Sequence, residues 1–106
     1  MEVAIQECLI GFIAISGQVC AASSRVYVHE SIAEKFTQAL KAAAEGSHSL
    51  FGDPTAPSTI IGSIVDKDQF NRVVDIVDKG KTEGTLVTGG EAFPGKVFPT
   101  PTSRLS

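Results

Sequence analysis

Positive charge and cysteine are both scarce in this sequence. Nine Lys and Arg stand against twelve Asp and Glu, a net charge of −3, and the basic residues are scattered along the chain. That excludes the clustered cationic surface that nucleic acid or an anionic membrane requires. The two cysteines, Cys8 and Cys20, are too few for a disulfide scaffold and lack the Cys/His spacing of a zinc site. A reducing, cytoplasmic setting is expected, with no nucleic-acid, membrane or metal partner. No apolar run is long enough to span a bilayer as a helix. The apolar residues 9–15 lie ahead of Cys20-Ala21-Ala22-Ser23 much as in a secretory signal, but Glu2 and Glu7 precede them with no Lys or Arg, where a signal carries a basic start. There is no internal repeat or low-complexity tract. Only the Pro- and Thr-rich residues 99–106 shift in composition, and they are expected to fray.

What is present suits one globular domain. A chain of 106 residues with 42 % hydrophobic and 20 % charged content can build one core and no second independent one. Residues 2–14 contain no proline and read as a helix that is apolar almost all round, the kind that belongs inside a larger body. Ser16-Gly17-Gln18 breaks it. Residues 25–29, β-branched and aromatic, have strand character, so Cys20 falls near a helix-to-strand junction. Ser31 and Glu34 form a capping-box pattern that opens a second helix, whose stripe is Ile32, Phe36, Leu40 and Ala43 and whose stop is Gly46. A loop with Pro54 and Pro57 follows over residues 47–59. Asp66 caps a third helix, with Gln69 three residues on, Val65 and Phe70 spaced as a hydrophobic staple, and Phe70, Val73, Val74 and Val77 on its apolar face. Residues 85–88 read as a strand, Gly89-Gly90 as a turn and Val97-Phe98 as a last strand. Strands alternating with helices predict an α/β fold in three layers with a mostly parallel sheet.

The chemistry concentrates at Gly17-Gln18-Val19-Cys20-Ala21-Ala22-Ser23-Ser24-Arg25. This stretch resembles the active-site cysteine signature of the aldehyde dehydrogenase superfamily, Gly-Gln-x-Cys-x-x-x-[Ser/Thr]-Arg. The resemblance continues through Val26 to Glu30, Gly52-Asp53-Pro54, Val65-Asp66-x-x-Gln69-Phe70, Gly80-Lys81-x-Glu83-Gly84, Gly89-Gly90 and Phe98-x-x-Pro101-Thr102, in the family's order. The pattern has physical sense. Gly17 lets the backbone turn tightly, and the chain at Cys20 presents a sulfur and its own backbone N–H to one carbonyl. The oxyanion formed by thiolate attack on an aldehyde needs such a fixed donor. An incidental packed thiol is the bland reading of a lone cysteine, and it is the reading retained for Cys8. Gln18 is expected to shape the turn rather than react. His29 and His48 are expected to be surface histidines, and Arg25 is the one cation near the thiol.

The resemblance implies a partial three-layer α/β/α catalytic domain over residues 1–106, with Cys20 as the nucleophile. It also implies NAD or NADP as cofactor, an aldehyde as substrate, and Gln69 and Phe70 beside the adenosine end of the cofactor, unless their capping and staple roles are all they have. In family members the general-base glutamate, an oxyanion-hole asparagine and the nucleotide-binding domain lie before this segment. The Glu-x-Phe-Gly-Pro element lies after it, and the oligomerising hairpin is also outside. The chain alone is therefore expected to be truncated and inactive as a dehydrogenase, without cofactor binding of its own, and to need a complementing chain or a homo-oligomer. The alternative is a non-catalytic remnant acting as an interaction partner through exposed apolar faces. Ala14 and Ile15 stand where an aromatic residue and asparagine are common, and Ser63 where proline is. These departures alter the hydrogen bonding expected around Cys20.

Overall fold

A computed structural model describes residues 1–91 in full and residues 103–105 as a strand. Helix α1 spans Glu2–Ile13, α2 spans Glu30–Gly46 and α3 spans Lys67–Glu83. Strand β1 is Thr85–Thr88 and β2 is Ser103–Leu105. Short 3-10 turns at Ala14–Gly17 and Ser47–Leu50 extend the ends of α1 and α2.

Helix α1 packs against α2, and β1 touches both α2 and α3. The core is small. Ile5 and Ile13 from α1, Phe36 and Ala44 from α2, and Ile61 and Ile64 from the following segment are buried, each large side chain contributing about 1.5–3 kcal/mol by leaving water. Buried Ser47 satisfies its hydroxyl by donating to the Ala44 carbonyl at 2.6 Å, as a buried polar group must. Much of the apolar surface of α1 stays uncovered, with Val3 71 % exposed.

Two helix starts show what local chemistry decides. The Asp66 carboxylate accepts the Gln69 N–H at 2.7 Å, satisfying one of the free amides of the first turn of α3 as its sequence position predicts. Asp66→Ala is expected to cost about 1 kcal/mol, read as a lowered Tm, with Asp66→Asn within a few tenths of wild type. Helix α2 departs from expectation. It starts at Glu30, and its cap is His29 rather than Ser31, two residues early. The His29 Nδ1 accepts the Ser31 N–H at 3.2 Å, and the Ser31 hydroxyl lies 2.9 Å from the same nitrogen. An imidazole nitrogen with a free lone pair can cap as an oxygen does.

Other expectations are corrected. The sheet among the described residues is two-stranded and antiparallel, pairing Thr85 with Leu105, Leu86 with Arg104 and Thr88 with Ser103; the one parallel pairing is the isolated bridge Phe51–Ile61. A mostly parallel sheet is thus not formed within these residues. Residues 25–29 make no β pairing among the described residues, and Tyr27 is 92 % exposed: their β propensity finds no neighbouring strand to accept it. Residues 103–105, expected to fray, are paired because β1 offers them a ladder. Val65 is 76 % exposed and so closes no staple over the α3 cap, while Ile32, 43 % exposed, lies at the edge of the α2 stripe rather than inside it. Residues 97–98, read as a last strand, lie outside the described residues.

Candidate active site

The turn that carries Cys20 begins where α1 ends. Ile15, Ser16 and Gly17 follow one another with φ of 51°, 57° and 73°, three successive residues on the left-handed side. Gly17 adopts it freely, whereas Ile15 and Ser16 each give up about 1–2 kcal/mol there, because Cβ crowds the following carbonyl. A Cβ at Gly17 would lie 3.2 Å from the Phe12 carbonyl oxygen. Gly17→Ala is expected to destabilise the fold by about 1–2 kcal/mol, measured as a lower denaturation midpoint at unchanged m-value.

Gln18 then ties this turn to a distant segment with all of its side-chain amide. Its Nε2 donates to the Ile15 carbonyl at 3.2 Å and the Ser63 carbonyl at 3.4 Å, and its Oε1 accepts the Val65 N–H at 2.9 Å. A glutamine satisfied in this way orients backbone and is not available to react, in line with its expected role. The Ser63 carbonyl is a backbone group, so serine in place of proline leaves this acceptor intact. Ser16, which the sequence did not single out, donates its hydroxyl to the Gly62 carbonyl at 2.6 Å. A serine hydroxyl carries no local signal that distinguishes a long-range bond of this kind from a solvated one.

Cys20 occupies the second position of the turn closed by the Ala22 N–H donating to the Val19 carbonyl at 2.9 Å. The Ser23 N–H then donates to the Gly11 carbonyl at 2.8 Å, pinning the outgoing chain to α1. Gly11 is part of that seat, since a Cβ there would come within 2.9 Å of the Ser23 hydroxyl oxygen. Between these two fixed points the Cys20 thiol is exposed, and no acceptor for its backbone N–H is found among the described residues. Cys8 is half-buried on α1. Arg25 and His29 make no hydrogen bond or ion pair with Cys20.

Gln69 and Phe70 lie half-buried in the first turn of α3. The Gln69 backbone serves the Asp66 cap and the Phe70 N–H donates to the Asp66 carbonyl at 3.1 Å. Because Gln18 holds the Val65 N–H, the start of α3 and the cysteine turn are joined through one side chain. Among the described residues no group of three or more His, Cys, Asp or Glu could hold a metal ion, and no helix is long and apolar enough to cross a membrane.

Comparison with known proteins gives the family and the fold. The model of the aldehyde dehydrogenase family matches residues 1–102. The 1-pyrroline-5-carboxylate dehydrogenase 2 of Halalkalibacterium halodurans is 33 % identical over 98 residues, 92 % of this chain and 19 % of that protein. An aldehyde dehydrogenase of Davidiella tassiana is 46 % identical over 76 residues, 71 % of this chain and 15 % of that protein. Among solved structures, the γ-glutamyl-γ-aminobutyraldehyde dehydrogenase of Burkholderia cenocepacia superposes with a TM-score of 0.89 at 35 % identity, covering 97 % of this chain and 21 % of that one. The NAD+ complex of the Bacillus cereus aldehyde dehydrogenase does so with a TM-score of 0.86 at 36 % identity, covering 95 % and 21 %. The chain belongs to the aldehyde dehydrogenase family, and its fold is of that type. It spans about a fifth of the length of the curated relatives it matches.

Proposed function

We propose that this chain is the catalytic-cysteine segment of an NAD(P)-dependent aldehyde dehydrogenase, which oxidises an aldehyde to a carboxylic acid, and that Cys20 is its nucleophile. The observation that carries the reading is the turn itself: an exposed thiol and a free backbone N–H held at one residue between two pinned points. The thiolate sulfur adds to the aldehyde carbon, the carbonyl electron pair moves to oxygen, and the Cys20 N–H would be the donor to that oxyanion. A nicotinamide held by the rest of the enzyme would supply the hydride acceptor that takes the Cys20 adduct to a thioester. Water then hydrolyses the thioester and returns the thiol. Gln69 and Phe70 offer an amide and a partly open aromatic face suited to one edge of a nucleotide base. Among the described residues no Gly-rich turn leads from a strand into a helix to receive a pyrophosphate.

In the whole protein the segment is proposed to lie in a three-layer α/β/α domain with a mostly parallel sheet, where residues 25–29 gain the strand neighbours they lack here. The 106-residue polypeptide by itself is expected to give no steady NADH formation with any aldehyde. A chimera in which residues 1–102 replace the matching segment of the Bacillus cereus enzyme is expected to form NADH from an aldehyde. A chimera that folds and binds NAD+ yet stays silent would overturn the reading. The uncovered apolar surface of α1 and of residues 25–29 favours a second reading for the isolated polypeptide: a non-catalytic interaction partner. Under that reading Cys20→Ser leaves every cellular property unchanged.

A further inference from the structure

We propose that Ser16 is a positioning residue for Cys20: its hydroxyl bond to the Gly62 carbonyl holds the cysteine turn in a backbone conformation that the turn's own residues disfavour. The proposal rests on the reading of Cys20 as nucleophile. Ile15 and Ser16 both have positive φ, and left-handed backbone is unusual for a β-branched residue, which has no compensating local hydrogen bond to offer. Packing within this segment does not compensate either, since Ile15 is 69 % exposed there. The Gln18 N–H bond to the Ile15 carbonyl closes the turn locally but draws on no partner outside it. The force that keeps the turn left-handed therefore comes from the 62–65 segment. Of the bonds that reach it, the Gln18 contacts are exposed, whereas the Ser16 contact is shorter, 2.6 Å, and partly buried, and it links residues 46 positions apart.

Three residues separate Ser16 from Cys20. If the latch is lost, Ile15 and Ser16 can return to right-handed backbone, and everything downstream of them, up to the Ser23 pin, is re-aimed. Such a change moves the attacking sulfur relative to the carbonyl without altering the groups that bind substrate, so it acts on kcat more than on KM. Removing the hydroxyl and removing the strain are separable. Ser16→Ala loses the latch and keeps the strain. Ser16→Gly loses the latch and the strain at position 16 together, leaving only that at Ile15, because glycine takes positive φ freely. Asparagine tolerates left-handed backbone better than isoleucine, so Ile15→Asn should compensate for a missing latch, and the exposed Ile15 side chain gives up no packing.

The test compares these variants in the catalytically complete enzyme that carries the segment, with Cys20→Ser as reference. Ser16→Ala is expected to lower kcat by ~10-fold with KM within ~2-fold, the scale on which small misplacements of a reacting group act. Ser16→Gly is expected to lose less than Ser16→Ala, and Ile15→Asn combined with Ser16→Ala to recover to within ~3-fold of the parent. Amide exchange at Val65 and Ser23 on the same proteins should quicken in Ser16→Ala and slow again in the double variant, which reports the latch whether or not turnover is measured. If Cys20→Ser is dead while Ser16→Ala keeps the parent kcat, or Ser16→Gly is as impaired as Ser16→Ala, the positioning role is wrong and the nucleophile stands. If Cys20→Ser turns over normally, the reading on which the proposal rests has failed.

Discussion

Cys20→Ser in the chimera described above is expected to lower turnover by ~10⁴-fold or more while NAD+ binding stays within ~2-fold, because the loss of a nucleophile removes the covalent route rather than weakening one contact. Serine keeps the size and the turn geometry of cysteine, so the Ala22 and Ser23 hydrogen bonds that shape the turn have no reason to change. What changes is the acidity and nucleophilicity of the attacking atom. Cys8→Ser serves as the control. Cys8 is half-buried on α1 and plays no part in the turn, so its replacement should alter stability by no more than about 1 kcal/mol and leave turnover intact. Stopped NADH formation at saturating aldehyde, with circular dichroism and NAD+ titration on the same samples, checks all three statements.

Gln18→Ala carries the second largest expected effect. One amide makes three bonds, to Ile15, Ser63 and Val65, and two of them reach the segment that leads into α3. Because these bonds are exposed, the stability they confer is small, on the order of 1 kcal/mol in total. Their effect on rate should be larger, since they set where Cys20 points relative to the α3 start that carries Gln69 and Phe70. Turnover is expected to fall by ~10²-fold, and the Val65 amide to lose its exchange protection. Gln18→Glu separates orientation from donation. It keeps the acceptor for Val65 and loses the donors to Ile15 and Ser63, so an intermediate rate is expected. A Gln18→Ala variant with unaltered kcat and KM would show that the turn is held without it.

The parts of the fold that the sequence made legible are those fixed by chemistry within a few residues. Asp66 with a free amide three positions on is such a case, and so is Gly17, whose positive φ a tight turn demands. Thr85–Thr88, a β-rich run between glycines, is another. Gln18 was also readable as a turn-shaping residue, although which carbonyls it would meet was not, since Ser63 and Val65 lie more than forty residues away. The misreadings share a cause. Ser31 has the better capping chemistry, yet His29 caps, because the helix begins two residues earlier and an imidazole lone pair serves as well. Residues 25–29 have strand propensity that only a neighbouring strand can realise. The pairing of Ser103–Leu105 with β1 is likewise a non-local event, invisible in a Pro- and Thr-rich composition. Left-handed backbone at Ile15 and Ser16 could not be foreseen from two residues that ordinarily avoid it.

The Cys20 motif stands apart from these cases. Its residues are local, so the sequence displays them, but the arrangement that gives them meaning is tertiary: Ser16 and Gln18 on the 62–65 segment, and Ser23 on Gly11. Those contacts hold the turn on both sides of an exposed thiol.

The central claim is that the sulfur of Cys20 becomes acylated during turnover. The most direct measurement is acid quenching of the chimera during steady aldehyde oxidation, followed by mass spectrometry of the peptide that contains both thiols. The account predicts an acyl mass on Cys20, absent without NAD+ and absent in Cys20→Ser, with Cys8 unmodified. NADH formation at an undiminished rate in Cys20→Ser, or an acyl group found on another residue, would contradict it.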